Sequence, residues 1–180
     1  MLEKKERTRY TMKKLIALLL ALMLLALPAL AETAEEPYTP TNPNTLQFLA
    51  ALDANEMYYS DVWLYGTDEC LYLDFDFENI GAVYSVYVHF VEDKPLVRMY
   101  VYNLIDFDEA NLAEVYRACS DANWESWATR FYVDESDFSV TAEVDVDLFG
   151  EENGVMSFEG LYNIVTSCNN AYETFAPYAK

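Results

Sequence analysis

From Cys70 to Glu78 the chain alternates without a break. Leu71, Leu73, Phe75 and Phe77 point to one side, while Tyr72, Asp74, Asp76 and Glu78 point to the other. Period two marks a strand with one buried face. Its neighbours follow from the turns around it. Val62–Tyr65 and Cys70–Phe77 flank Gly66-Thr67-Asp68-Glu69, a hairpin signal. Asn79-Ile80-Gly81 turns into Ala82–Val91, apolar on both faces as expected of a central strand. Glu92-Asp93-Lys94-Pro95 turns again into Leu96–Asn103. The pattern predicts a four-stranded antiparallel meander.

Helical periodicity brackets it. Before the meander, Asn42 can cap, Pro43 suits a first helical position, and Leu46, Leu49, Ala50 and Leu52 recur at helical spacing. A helix is expected from about Asn44 to Asn55. After it, Asp106 or Asp108 can cap a helix carrying Glu109 in its first turn and Leu112, Val115, Tyr116 and Cys119 on one face. The chain then returns to strand at Trp127–Val133, turns at Asp134–Asp137, and runs on as Phe138–Leu148. Val140, Ala142, Val144 and Val146 alternate there with Thr141, Glu143, Asp145 and Asp147. A last helix, with Ser157 as its candidate cap, aligns Phe158, Leu161, Val165, Cys168, Tyr172 and Phe175. The expected fold is α+β: an antiparallel sheet of about five or six strands in helix–meander–helix–hairpin–helix order, with the helices mainly on one face.

The first 31 residues follow a different logic. Lys4, Lys5, Arg7, Arg9, Lys13 and Lys14 form a basic head, Leu15–Leu27 is apolar, and Pro28 precedes Ala29-Leu30-Ala31 and the acidic Glu32. That is the layout of a secretory signal peptide cleaved between Ala31 and Glu32, with Ala29 and Ala31 as the small residues the peptidase reads. The apolar run is short for a spanning helix, which needs about 20 residues. The reading divides the chain into a signal at 1–31, a proline-bearing flexible tether at 32–43 and one domain at 44–180. The expected location is secreted, in or beyond the cell envelope.

Export changes the charge. The signal takes six of the eleven basic residues and two of the 31 acidic ones, so the mature chain has a net charge of −24 against −20 for the whole. Such a surface repels nucleic acid and anionic membrane, and both are excluded as partners. With 53% hydrophobic and 16% aromatic residues, the chain has ample material for a core. Cys70, Cys119 and Cys168 are an odd set for an exported protein. The reading is three buried free thiols, with Cys70, beside a turn, the most reactive; a Cys119–Cys168 bridge is the alternative.

The element order, together with several local segments, resembles the YbjN-like family. Phe48-Leu49-Ala50-Ala51-Leu52 is similar to the family's opening helix. Asn123 closing a helix ahead of Arg130-Phe131-Tyr132-Val133-Asp134 is similar to its most recognisable segment. The acidic turn into Phe138-Ser139-Val140 and the aromatic-rich tail also fit, and the resemblance spans roughly residues 44–176. It implies a fold shared with type III secretion chaperones and a small non-enzymatic domain, often dimeric, whose helices and sheet hold a protein segment.

Catalytic signatures are missing from the sequence. No nucleophile elbow, phosphate loop or H-E-x-x-H motif occurs, and the single histidine, His89, reads as a packed core or groove residue. Asp145–Gly150 superficially resembles a calcium loop, but Phe149 and Met156 stand where oxygen ligands are required. No metal or cofactor is expected. Asp74, Asp76 and Glu78 on one strand, and Glu143, Asp145 and Asp147 on another, form two acidic rows that would make an electronegative patch if they share a face. The leading expectation is an exported, non-catalytic domain binding a protein or peptide of basic character, with Trp124, Trp127, Tyr100 and Tyr102 as candidate contacts. A calcium-binding envelope module and a small hydrolase are the alternatives.

Overall fold

A computed structural model describes residues 37–77, 81–149 and 153–180. Ala29, Ala31 and Glu32, where signal cleavage is expected, and Glu78 of the expected acidic row lie outside these. The order is α1 (Pro43–Ala54), β1 (Trp63–Tyr65), β2 (Asp68–Phe77), β3 (Ala82–Phe90), β4 (Leu96–Asp106), α2 (Leu112–Glu125), β5 (Arg130–Asp134), β6 (Ser139–Asp147) and α3 (Asn153–Phe175). One six-stranded antiparallel sheet results, in the order β1-β2-β3-β4-β6-β5.

Alternation decides which sheet face is buried. Leu71, Leu73, Val86, Val88, Met99 and Val144 are almost fully shielded. All lie on the face where α3 packs against β4 and β6, and α1 and α2 pack against α3. Phe48 of α1 meets the ring of Phe90, and Phe175 of α3 meets Phe131. Among the described residues, the opposite face carries no helix.

Local chemistry explains where the boundaries moved. The α1 start is as the sequence implied, with Asn42 Oδ1 accepting from the Asn44 N–H at 2.9 Å and Pro43 at the first turn. The first hairpin is tighter than Gly66–Glu69. Gly66 takes φ +67°, so Asp68 pairs with Tyr65 and Glu69 joins β2. β4 runs three residues past Asn103, because Asn103 itself adopts φ +52° and absorbs an irregularity before Ile105 re-pairs with Val140. Neither proposed cap works for α2. Asp106 lies in β4, and Asp108 precedes a 3-10 turn, Glu109–Asn111, without a side-chain capping bond.

β5 starts at Arg130 instead of Trp127. The Ser126 hydroxyl accepts from the Thr129 N–H at 3.1 Å and holds the intervening residues in a turn. Ser157 is no cap, since α3 begins four residues earlier and Ser157 is fully buried within it. Close packing fixes that helix. A Cβ on Gly154 would sit 2.6 Å from the Gln47 carbonyl oxygen in α1, and one on Gly160 would collide with Val146 Cγ2 in β6.

Candidate binding face

The face of the sheet without helices is paved with rings. Cross-strand register carries Tyr72 to Tyr87 and Tyr87 to Tyr100, and period two adds Tyr102 beside Tyr100. The next row runs Trp63, Cys70, His89, Arg98 and Asp145 from β1 to β6. Ring centroids connect the residues into one chain. Trp63–Tyr72 is 6.1 Å, Tyr72–Tyr87 5.8 Å, Tyr87–Tyr102 5.3 Å and Tyr100–Tyr102 5.3 Å with near-parallel planes. His89 stands edge-on to both Tyr100 and Tyr65. Pairs at such separations attract beyond the area they bury. Tyr102 remains 44% exposed and Tyr65 71%. The rings therefore support one another while leaving apolar surface to solvent.

Burial keeps Tyr102 and His89 uncharged at neutral pH. Burial among the rings, then the neighbouring Tyr100 and Tyr132, push Tyr102 up to about 12. Burial lowers His89, with Asp68 opposing and Arg98 adding to the fall. Charge sits at the periphery. Asp145 is taken up by two cations, Arg98 at 3.3 Å and Arg130 at 3.0 Å. Asp74 accepts from the Ser85 hydroxyl, a neutral partner.

The candidates from the sequence divide on this geometry. Tyr100 and Tyr102 lie at the centre of the face. Trp124 and Trp127 are nearly fully exposed, at 92% and 102%, but they stand at the α2–β5 connection, off the ring chain. Asp74 and Asp76 share the helix-free face with Glu143, Asp145 and Asp147, yet β3 and β4 and their tyrosines come between. The two rows flank the rings instead of forming one patch. Among the described residues, no three or more His, Cys, Asp or Glu side chains are grouped to hold a metal ion.

Sequence reasoning missed Trp63, Tyr65, Tyr72 and Tyr87 as members of this face, and read His89 only as a packed core or groove residue. Counting outward from the Gly66 and Glu92–Pro95 turns would have aligned them on one side. Cys70 also needs correcting. It lies on this face but is fully shielded, between its registered neighbours Trp63 and His89, and burial pushes its thiol up to about 11. It is no more accessible than Cys119 or Cys168, and all three are free and buried.

A second concavity, of about 660 Å³, lies between the start of α1 and the β1–β2 and β3–β4 turns. Its wall contains Glu69, only 4% exposed. One carboxylate oxygen accepts from the Thr41 N–H at 2.6 Å, the Asn42 N–H at 3.0 Å and the Tyr38 hydroxyl at 2.9 Å. Burial alone would raise this acid, but the donors outweigh it and hold it below its ordinary value. Residues 38–42, expected to be tether, are thus fastened to β2 at the positive end of α1.

Asn123 does comparable work at the other edge of the sheet. Its side chain accepts from the Phe131 N–H at 2.7 Å and donates to the Phe131 carbonyl at 2.9 Å. β5 is an edge strand, and this bidentate clasp occupies main-chain groups that would otherwise be open. The Asn123…Phe131 spacing noted in the sequence therefore has a structural cause.

No curated protein matches the chain. A family model does, over residues 74–178, and the family is described as "YbjN: Putative bacterial sensory transduction regulator". The match takes in Asn123 and β5 but starts at Asp74, so the likeness drawn for the opening helix lies outside it. With more than half of the sequence matched, the chain belongs to the YbjN family.

Proposed function

We propose that the protein is an exported, non-catalytic binding domain of YbjN type, and that a partner protein sits on the helix-free aromatic face. The observation carrying this is the unbroken ring chain from Trp63 to Tyr102, partly exposed on a sheet whose other face is packed by helices. Exposed aromatic clusters of this kind are characteristic of interaction surfaces. Neutral phenols in the middle and carboxylates at the margin suit a partner of basic character. Capture of a protein segment by such a surface is the behaviour of secretion chaperones, and the N-terminal signal pattern supports export.

Two measurements test the reading. N-terminal sequencing of the native protein should begin at Glu32; a chain still beginning at Met1 would remove the export claim. For binding, tagged wild type and Tyr87→Ser/Tyr102→Ser are compared in capture from the native envelope, with Tyr162→Ser on the exposed side of α3 as control. Loss of a captured protein with the face variant alone is expected. Equal capture by all three would refute the assignment.

A further inference from the structure

The aromatic face has a direction built into it. Asp74 on β2 and Glu143 on β6 stand on either side of Tyr87, Tyr100 and Tyr102, and neither forms an ion pair among the described residues. Asp145 differs, since Arg98 and Arg130 already neutralise it. Three strand spacings of about 4.8 Å separate β2 from β6, and register displaces Glu143 from Asp74 by two residues, about 7 Å, along the strands. The two carboxylates, neither of them ion-paired, are then about 16 Å apart, roughly the span of four to five residues of extended chain, and of these only a separation of four turns both side chains to the same side.

We infer that the occupant of this face is an extended peptide segment crossing the strands, with two arginine or lysine side chains four residues apart and so on the same side of the segment. Its cations meet Asp74 and Glu143, and its intervening residues lie on the tyrosines. A cation over a phenol face is attracted by the ring as well. Charge complementarity selects this occupant over a second copy of the chain, because a mature domain of net charge −24 repels itself. The inference rests on the proposed function and specifies the partner's chemistry.

Synthetic twelve-residue peptides on a serine–alanine scaffold test it by fluorescence anisotropy with the full chain. One peptide carries two arginines four residues apart, another two residues apart, and a third has glutamates instead. The four-residue spacing should bind at least tenfold tighter than the two-residue spacing, and the glutamate peptide should not bind. Asp74→Asn with Glu143→Gln, both surface changes, should erase the spacing preference. Equal affinity for both arginine peptides, or a preference that survives the double substitution, would overturn the inference. If that happens while Tyr87→Ser/Tyr102→Ser still loses envelope capture, only the spacing rule has failed. If the tyrosine variant also keeps its capture, the binding face itself is wrong. Concentration-dependent sedimentation of the wild type, abolished in the tyrosine variant, would assign the face to self-association and likewise overturn the inference.

Discussion

Two polar side chains, Asn123 and Glu69, hold the ends of this fold in place, and each makes a prediction. Asn123→Ala leaves the Phe131 N–H and carbonyl without their partner, which costs about 1–3 kcal/mol when such groups are part-buried. Urea unfolding should show a lower midpoint at unchanged slope, and the Phe131 amide should exchange faster. An unchanged midpoint would mean water replaces the clasp without penalty. Glu69 sets a pH dependence. Its folded value is lower than the ordinary 4.5, so its contribution is complete above the unfolded value and disappears as pH falls through the folded one. Glu69→Gln should therefore be less stable than wild type at neutral pH, and the gap should close as the solution is acidified below about 4.5. A gap that widens in acid would contradict the assignment. Of these two residues, Asn123 was legible in sequence as a motif without a cause. Glu69 was hidden, because a carboxylate beside a glycine turn reads as solvated until the chain folds α1 over it.

Elements were legible wherever burial is periodic. The alternation of Leu71 to Phe77 and of Val140 to Val146 fixed β2 and β6, because a strand with one covered face leaves no other pattern. Boundaries went wrong where a single side chain or a positive φ intervened: Ser126 delayed β5, and Asn103 let β4 continue. Glycines in α3 were silent too. Replacing glycine by alanine inside a helix normally stabilises by about 1 kcal/mol. Here Gly154→Ala would press a methyl group onto the Gln47 main chain, which cannot swing aside, so a loss of about 1–3 kcal/mol is expected. Gly160→Ala collides with the Val146 side chain, while Met99 Cε lies at an ordinary contact distance, so Gly160→Ala should destabilise and the double variant Gly160→Ala/Val146→Ala should recover part of that loss. Thermal melts of the four proteins check the ranking. A stabilised Gly154→Ala would show that α1 and α3 are not packed this closely.

At the scale of the whole molecule, charge and the open face act together. With 29 acidic against five basic residues beyond position 31, stability should rise as sodium chloride is added from low levels, since exposed charges are screened over about 8 Å at physiological ionic strength. A melting temperature that is flat or falls with salt would show that the charges are already compensated. The acidity was plain in the sequence, and so was an α+β domain with its helices on one side. What the sequence did not display was that Trp63, Tyr72, Tyr87 and Tyr102 converge, since residues on four strands meet only through register. That convergence is the central claim, and photo-crosslinking tests it most directly. A benzoylphenylalanine at Tyr102 on the sheet face, and another at Tyr162 on α3, 68% exposed, would be irradiated in the native cells. The account predicts a discrete adduct from position 102 and none from 162. An adduct from 162 with none from 102 would place the partner on the helices and contradict it.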